Sequence, residues 1–312
     1  MISRLGKTRA VIAFLCIACI GILSRSSFNL SVDSLGDLNN SHCACPTCYT
    51  RDDDPWFGEL IKAAPPPFLS KNYTTPEEDY DWWKRLQWQG YDYAFYQKTV
   101  KDVFERFPHV PDVIKYKPGR CRTCAVVGNS GNLKGSRYGP LIDFHDIVIR
   151  INRGRTKGYE ADVGTKTTHR VMYPESAFTS DNTTHLVFVP FKIKDLQWLL
   201  GKFEPSDANS GKIANRDLVM ILNPAFMKYV YEQWLDRKGR YPSTGFITLA
   251  LSFSICDQVD VFGFGADSDG NWNHYFETTN RHLRTGPHPG GHEYGLIETL
   301  HKKEKIGFYR GF

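Results

Sequence analysis

Short apolar runs recur along most of the chain and alternate with stretches in which apolar residues return every three or four positions. Apolar runs bounded by glycine, asparagine or aspartate are typical of buried strands, and they predict strands at 123–128, 147–152, 168–173, 185–190, 217–222, 258–264 and 305–310. The helical spacing predicts helices at 97–107, 193–203, 225–237 and 244–256. Because strands and helices alternate, we expect an α/β fold, a single Rossmann-like domain with a mostly parallel sheet of about seven strands flanked by helices.

The N-terminal apolar run is of a different kind. Residues 10–23 are almost uniformly apolar, basic residues precede them, and Ser24 and Arg25 end the run. A bilayer core of about 30 Å needs roughly 20 helical residues, so the run is short for a membrane span and a cleavable signal peptide stays an alternative. No clear small-x-small cleavage site follows Leu23, which favours an uncleaved anchor at 10–24.

An anchor at this position would divide the rest of the chain. The basic residues before it predict a cytoplasmic tail at 1–9 and a lumenal location for everything beyond the anchor. Residues 25–55 are rich in serine, asparagine and aspartate and predict a flexible stem. The folded domain is then expected at 56–312.

A glycine-spaced turn follows the first predicted strand. Gly128-Asn-Ser-Gly131 comes directly after apolar residues, so it would place unhindered N–H groups and the Asn129 amide at the carboxyl edge of the sheet. Open α/β folds bind ligands at this edge. The spacing is G-x-x-G and not the G-x-G-x-x-G of dinucleotide-binding folds, so a plain turn is an equal alternative for this segment alone.

The sequence beyond this turn continues a pattern that belongs to a known family. Asp143-Phe-His-Asp-Ile-Val-Ile-Arg-Ile-Asn152, Asp162-Val-Gly-Thr-Lys-Thr-Thr-His-Arg170 and Val171-Met-Tyr-Pro-Glu-Ser176 follow it in order. Residues 124–176 resemble, almost throughout, the large donor-binding motif of the animal sialyltransferases, glycosyltransferase family 29.

Three further segments resemble the remaining motifs of this family, in the same order. Residues 223–267, which contain Tyr241-Pro-Ser-Thr-Gly245, resemble the small motif. His274-Tyr-Phe-Glu277 resembles the third motif, and His288-Pro-Gly-Gly-His-Glu293 resembles the His-x4-Glu motif. The sequences of 171–176 and 241–245 are most similar to those of the β-galactoside α-2,3-sialyltransferases that act on Galβ1,3GalNAc.

This resemblance implies an enzyme, its substrates and its place in the cell. It implies a variant of the GT-A-type glycosyltransferase fold that transfers sialic acid from CMP-sialic acid to the 3-hydroxyl of galactose in Galβ1,3GalNAc, on O-glycans or glycolipids. It further implies a single-pass type II protein of the Golgi membrane without a metal cofactor, and it leaves a homodimer open. The net charge of +5 is modest and spread out, which favours anionic sugar nucleotides over nucleic acid as partners.

Two histidines carry the catalytic roles that the resemblance implies. His288 is the expected general base in an inverting displacement, because it stands at the motif's spacing from Glu293, whereas His282 and His292 do not. His274 is implied to steady the leaving phosphate, although a lone histidine beside aromatic residues is otherwise more often structural. Glu293 would orient the loop or the imidazole, or be an ordinary carboxylate at a helix start.

The resemblance also assigns substrate contacts. Gln87 and Tyr241 are implied on the acceptor side. Asparagine after a strand is otherwise a common turn former, and a serine or threonine before a helix is a common cap whose helix start also offers N–H groups to an anion. The implied donor contacts are Asn129, Ser130, Asn152, Ser243, Thr244, Gly245 and Gly265.

Cysteines and glycosylation sequons both suit an oxidising, lumenal compartment. Of eight cysteines, Cys16 and Cys19 lie in the apolar N-terminal run, and the others favour three disulfides among fifteen connectivities. The resemblance implies a disulfide between Cys124 and Cys256. We expect the other two to be Cys45–Cys121 and Cys43–Cys48. A zinc site at 43–48 is the competing interpretation. Sequons stand at Asn29, Asn39, Asn72 and Asn182.

Two aspartate clusters raise the question of a metal ion. Asp52-Asp-Asp54 lies in the predicted stem, and Asp267-Ser-Asp269 follows a predicted strand. CMP-sialic acid carries one phosphate and has less need of a cation than a nucleotide diphosphate, so we interpret Asp267 as a loop cap or nucleotide contact. The competing hypotheses are a metal-dependent UDP-sugar transferase that uses Asp267 and Asp269, and a membrane lectin that binds sialic acid without transferring it.

Overall fold

The computed structural model describes residues 54–107, 110–111, 121–204, 213–267, 269–277 and 287–312. The predicted tail and anchor, nearly all of the stem, three cysteines and two sequons lie outside these residues: Cys43, Cys45, Cys48, Asn29 and Asn39. Among the helices that the structure describes, none combines the length and the apolar character needed to cross a bilayer.

Seven parallel strands form one sheet in the order β5-β4-β3-β2-β1-β6-β7. Their bounds are β1 Thr123–Val127, β2 Ile147–Ile151, β3 His169–Met172, β4 His185–Phe188, β5 Val219–Ile221, β6 Gln258–Phe262 and β7 Gly307–Tyr309. The predicted strands and the α/β fold are therefore confirmed. The chain builds outwards from β1 to β5 and then returns to place β6 on the other side of β1, so the sheet reverses its direction of growth between β1 and β6.

Helices cover both faces of this sheet. They are α1 Pro55–Ala63, α2 Glu77–Arg85, α3 Tyr93–Arg106, α4 Gly139–Phe144, α5 Glu160–Val163, α6 Ile193–Lys202, α7 Pro224–Tyr229, α8 Thr244–Ile255 and α9 Gly290–Lys302. The helix predicted at 97–107 begins earlier, because Asp92 caps the amide of Phe95. The one predicted at 225–237 is α7 followed by a π-helical turn, Val230–Trp234. The pattern did not predict α1, α2, α4, α5 or α9.

Side chains of the strands alternate between two cores. Cys124 and Val126 of β1 pack into the larger core, while Ala125 and Val127 pack into the smaller one. This alternation is the period of two that a strand imposes on its side chains. The smaller core is closed by α4 and α5, and α8 lies in the larger core against β1, β2, β3 and β6. Both faces are buried, which explains why most strand positions are apolar.

The helix α8 is tied covalently to the centre of the sheet. Cys256 directly follows α8 and forms a disulfide with Cys124 of β1, with the two Cα atoms 5.9 Å apart. This is the pair that the resemblance implies. Cys121 is also disulfide-bonded, but its predicted partner lies outside the described residues.

Candidate active site

A cavity of about 480 Å³ opens at the carboxyl ends of the central strands. This volume lies in the range of small-molecule sites, and the position beside the β1/β6 reversal is where open α/β sheets bind ligands. The structure brings every sequence-predicted catalytic and substrate-binding residue to its wall: Gln87, Asn129, Ser130, Asn152, Tyr241, Ser243, Thr244, Gly245, Gly265, His274, His288 and Glu293.

The glycine-spaced turn after β1 forms a close joint with the end of β6. The amide of Gly128 donates to the carbonyl of Phe262 at 2.8 Å, and the amide of Ser130 donates to the carbonyl of Gly263 at 3.0 Å. A Cβ atom on Gly128 would lie 2.2 Å from the Gly263 oxygen, closer than any real contact. The glycine is therefore required where these two backbones meet, and the joint holds the next two residues, Asn129 and Ser130, at the cavity wall.

Two asparagines after β1 and β2 present complementary groups. Asn129 donates its amide NH2 to the carbonyl of Ile151 at 3.1 Å, while its buried Oδ1 has no partner among the described residues. Asn152 has a left-handed backbone, with φ at 50°, and its Oδ1 accepts a hydrogen bond from Ser176 at 2.9 Å. The Asn152 amide NH2 group is therefore left to donate to a ligand, which is more than a turn former requires.

Two buried arginines lie beneath these asparagines on neighbouring strands. Arg150 of β2 and Arg170 of β3 are paired in register. Arg170 holds the carbonyls of Asn152 and Gly154 at 3.2 and 2.9 Å. Burial lowers the pKa of each guanidinium to about 10, so both remain positively charged at neutral pH. Their charge favours an anionic ligand above them.

The N-terminus of α8 supplies unpaired amides. Ser243 is the N-cap, and its Oγ accepts from the amide of Phe246 at 3.0 Å. Of the two capping candidates in the sequence, the structure thus selects Ser243. The amides of Thr244 and Gly245 precede the first intrahelical hydrogen bonds, and both residues line the cavity. Together with the positive end of the helix dipole, they suit a phosphate or a carboxylate.

Glu293 joins the beginnings of α8 and α9. It lies in the first turn of α9, and its two carboxylate oxygens accept from the amide and the hydroxyl of Ser243 at 2.7 and 2.6 Å. Burial raises the pKa of Glu293, and the two hydrogen bonds from Ser243 oppose this rise. Because both carboxylate oxygens accept from Ser243, Glu293 fixes the loop that leads into α8. The Ser243 amide and hydroxyl proton are consequently committed to Glu293.

His288 is held in one tautomer by a backbone carbonyl. Its Nδ1 lies 3.2 Å from the carbonyl oxygen of Tyr241, which can only accept, so Nδ1 carries the proton and Nε2 of the neutral ring is basic. The ring stands edge-on to the Tyr241 ring, with centroids 5.0 Å apart. Burial lowers the pKa of His288, and the Tyr241 hydrogen bond partly opposes this. The imidazole is thus held as a neutral base.

His274 approaches the cavity on a segment that runs along the glycine-spaced turn. His274 and Ser130 form an antiparallel bridge, and the amide of Tyr275 donates to the carbonyl of Asn129 at 3.0 Å. The His274 ring stacks on Phe276, and its Nδ1 lies 3.0 Å from a Glu277 carboxylate oxygen. These contacts place the His274 ring at the cavity wall.

The aspartates after β6 organise their own loop. An Asp267 carboxylate oxygen accepts from the amides of Asp269 and Asn271 at 3.1 and 2.8 Å. This agrees with the loop-cap interpretation. Neither aspartate lines the cavity. Among all the residues that the structure describes, there is no cluster of three candidate metal ligands.

Several cavity residues escaped the sequence reasoning. Tyr173 and Lys192 come shortly after β3 and β4, so the strand-end argument that found Asn152 could have found them. Tyr294 packs against Gly265, where a Cβ atom would lie 2.4 Å from the ring. No local signal marked the others. The missed residues are Ile151, Tyr173, Glu175, Phe191, Lys192, Gly263, Phe264, Trp272, Gly290, Tyr294 and Ile297.

The fold and the cavity together are those of a single-domain α/β protein with a ligand-sized cavity at the carboxyl edge of its parallel sheet. The sequence model of glycosyltransferase family 29 (sialyltransferase) matches residues 68–305. The chain belongs to this family, so the family prediction is confirmed and the protein is a glycosyltransferase.

Named relatives and solved structures agree with this assignment. The chain is 40% identical to CMP-N-acetylneuraminate-beta-galactosamide-alpha-2,3-sialyltransferase 1 of Gallus gallus over 92% of this chain and 87% of the relative. It is also 40% identical to CMP-N-acetylneuraminate-beta-galactosamide-alpha-2,3-sialyltransferase 2 of Mus musculus, over 88% of this chain and 81% of the relative. A crystal structure of a mammalian sialyltransferase in complex with Gal-beta-1-3GalNAc-ortho-nitrophenol is 39% identical, with a TM-score of 0.76 over 86% of this chain and all of that chain.

Proposed function

We propose that this enzyme transfers sialic acid from CMP-sialic acid to the 3-hydroxyl of galactose, with Galβ1,3GalNAc as the preferred acceptor and an α-2,3 linkage in the product. The observation that carries the proposal is the single cavity that collects all the predicted catalytic and binding residues. Relatives named as α-2,3-sialyltransferases and the related structure with a Galβ1,3GalNAc compound support the choice of linkage and acceptor.

The donor is held by neutral hydrogen-bonding groups and two buried cations. The amides of Thr244 and Gly245 bind the phosphate or the sialic acid carboxylate at the start of α8. Asn129 accepts from the donor, Asn152 donates to it, and Ser130 and Gly265 complete this wall. Arg150 and Arg170 supply positive potential below the asparagines. These groups offset the donor's negative charges, so a metal ion has no necessary role, and Asp267 and Asp269 stay with their loop.

Transfer proceeds in one displacement with inversion at the anomeric carbon. Nε2 of His288 takes the proton from the galactose 3-hydroxyl as that oxygen forms the new bond to sialic acid. The bond from the anomeric carbon to the phosphate oxygen breaks with its electron pair, and CMP leaves. His274 donates a hydrogen bond to the leaving phosphate. Gln87 and Tyr241 position the galactose so that its 3-hydroxyl faces His288.

The enzyme works in the Golgi as a type II membrane protein in this proposal. Residues 10–24 anchor it, residues 25–55 form the stem, and the domain from residue 56 onwards lies in the lumen. Asn72 and Asn182 are both exposed, as glycosylation requires, and the disulfide between Cys124 and Cys256 suits an oxidising compartment. O-glycans and glycolipids displayed in the lumen are the acceptors.

An acceptor panel with linkage analysis tests this function. The full-length enzyme is incubated with CMP-sialic acid and either Galβ1,3GalNAc or Galβ1,4GlcNAc, with and without excess EDTA. We expect α-2,3-linked product, faster with Galβ1,3GalNAc and unchanged by EDTA. Reversed preference, another linkage, or activity that EDTA abolishes and Mn²⁺ restores would each refute the corresponding part of the proposal.

A further inference from the structure

A second cavity, of about 390 Å³, lies between the loop at 70–75 and one face of α3. It shares no lining residue with the catalytic cavity. Its volume is in the range of small-molecule sites. On the helix side, the apolar and aromatic lining residues recur every three or four positions and form one stripe of α3, which consists of Tyr93, Tyr96, Val100 and Phe104.

The tyrosine rings of this stripe are held by hydrogen bonds within the protein. The Tyr93 hydroxyl donates to the carbonyl of Thr75 at 2.7 Å, and the Tyr96 hydroxyl lies 2.9 Å from the Thr75 hydroxyl. The Tyr93 and Tyr96 rings also stack, with their centroids 6.2 Å apart. Because the hydroxyls are already bonded, these rings offer a ligand a fixed apolar surface.

Polar side chains complete the lining around this apolar surface. Lys71, Gln97, Lys101 and Glu105 all line the cavity and are exposed to solvent. They supply ammonium, amide and carboxylate groups. An N-acetylated sugar has the matching chemistry, because its ring presents an apolar C–H face while its hydroxyls and its amide lie at the edge. The cavity therefore suits such a sugar better than a purely apolar ligand.

A site for the covalent attachment of such a sugar lies on the loop itself. Asn72-Tyr-Thr74 is a glycosylation sequon, and Asn72 and Thr74 are both exposed. The amide of Tyr73 donates to the carbonyl of Ser70 at 3.3 Å, which closes a turn with Lys71 and Asn72 at its tip. The two residues before Asn72 and the two after it all line the cavity. A sugar on Asn72 is therefore attached within one residue of the cavity wall on both sides.

The loop is fixed to the rest of the domain at both ends. The amide of Leu69 donates to the carbonyl of Ile221 at 2.9 Å, and the Thr75 hydroxyl donates to Oδ1 of Asn223 at 3.3 Å. The attachment point consequently keeps its place beside the cavity. A short tether gives an effective concentration of about 1 mM, so a sugar that binds with a Kd of about 0.1 mM is bound about ten times as often as it is free.

We propose that Asn72 carries an N-linked glycan whose innermost N-acetylglucosamine rings bind in this cavity, against the stripe on α3. The donor is a lipid diphosphate-linked oligosaccharide. Nδ2 of Asn72 loses a proton and bonds to C1 of the first sugar, whose bond to the diphosphate oxygen breaks with its electron pair. The inference rests on the lumenal location in the proposed function and not on the transfer reaction. The bound sugars join the loop to α3 and stabilise the folded domain.

Protection from a glycosidase tests this binding in the full-length enzyme produced in animal cells. The native enzyme is treated with a peptide-N-glycosidase, and the conversion of each glycosylated asparagine to aspartate is followed by mass spectrometry. Asn182 is the matched site, because it is also exposed and none of the residues at 180–184 lines the cavity. Release at Asn72 should be about tenfold slower than at Asn182, since only the unbound fraction is cleaved. Denaturation should make the two rates equal.

Two pairs of variants separate binding of the glycan from its attachment. Val100 is half-buried in the middle of the stripe, so Val100→Glu should abolish the protection while the glycan stays on Asn72. Ala94→Glu adds the same charge to α3 at an exposed position outside the lining and should behave as the wild type. Asn72→Gln should lower the melting temperature by about 3 °C, and Asn182→Gln should leave it unchanged.

Three results would each overturn the proposal. They are an enzyme glycosylated at Asn182 but not at Asn72, equal release at the two sites in the native enzyme, and protection that survives in Val100→Glu. All three leave the lumenal location of the proposed function intact. Absence of a glycan from both asparagines would overturn this inference together with that location, and the transfer reaction would still stand on its own assay.

Discussion

Two walls of the cavity are built in different ways. The proposed donor wall, which is formed by Asn129, Asn152, Thr244 and Gly245, comes from strand ends and a buried helix start. The proposed acceptor wall, which is formed by Gln87, Tyr241 and His288, comes from loops beside helix starts and ends, with contacts such as that between His288 and the Tyr241 carbonyl. A change in the sheet therefore disturbs the donor wall at once, whereas the acceptor wall can vary while the sheet stays intact. Such a division lets one donor site serve enzymes with different acceptors.

The largest effect should come from the acceptor wall. His288→Ala removes the proposed general base and should lower kcat by about 10²-fold to 10⁴-fold. CMP binding, measured by calorimetry, should survive because the donor wall is untouched. His292→Ala is the control, since His292 lies one turn away and outside the cavity lining. If the two variants exchanged behaviour, the assignment of the catalytic histidine would be wrong.

Next in size is the loss of the disulfide behind the donor wall. Cys124→Ala opens the link between β1 and the end of α8, and removal of a native disulfide typically costs about 2–5 kcal/mol. We expect a lower melting temperature, a lower yield of folded protein and weaker CMP binding together. If the variant loses stability but its folded fraction binds CMP as tightly as the wild type, the donor wall does not depend on this link.

Glu293→Ala should affect both walls, because Glu293 in the first turn of α9 is hydrogen-bonded to Ser243 at the start of α8. It leaves the amide and hydroxyl of Ser243 without their buried acceptor, at a cost of about 1–3 kcal/mol. KM should rise for donor and acceptor alike, and Glu293→Gln, which keeps one acceptor oxygen, should be milder. A change in the KM of one substrate only would mean that the two walls are independent.

The smallest effect is a shift in pH dependence. Burial lowers the pKa of His288 below its usual 6.5, so the neutral base persists to lower pH than an exposed histidine would allow. As pH falls through this lowered pKa, the ring is protonated and kcat/KM for the acceptor should fall, with a midpoint below 6.5. A midpoint at or above 6.5 in the profile, measured at saturating CMP-sialic acid, would contradict the burial effect.

The sheet was predictable from sequence for a physical reason. The central strands are buried on both faces, so most of their positions are apolar and the run ends at a polar or glycine residue, as in 123–128. Helix α8 was predictable for the same reason. Helix α9 was not, because it contains Gly290, Gly291 and Gly295, poor helix formers, and depends on the contact between Glu293 and Ser243.

Most of the predicted site residues lie in segments that resemble the family motifs. Asn152 and His288 lie in segments that resemble the family motifs. Lys192 and Glu175 meet because β3 and β4 are neighbours in the sheet, and strand order is not written in any local pattern. The exposure of Trp88, which follows α2 and is 83% exposed, was equally hidden, because an aromatic residue after a helix is as consistent with a core position as with a surface position.

The position of β6 beside β1 has a consequence for biosynthesis. Strands β1 to β5 are complete by Ile221, whereas β6 ends at Phe262 and the Gly128 joint needs Gly263. While the chain emerges from the ribosome, β1 therefore keeps one unpaired edge until most of the polypeptide has been made, and an open strand edge is a template for aggregation. A nascent chain that ends before residue 263 cannot close the donor site, so ribosome stalling or truncation in the region of α8 yields an inactive protein that is prone to associate.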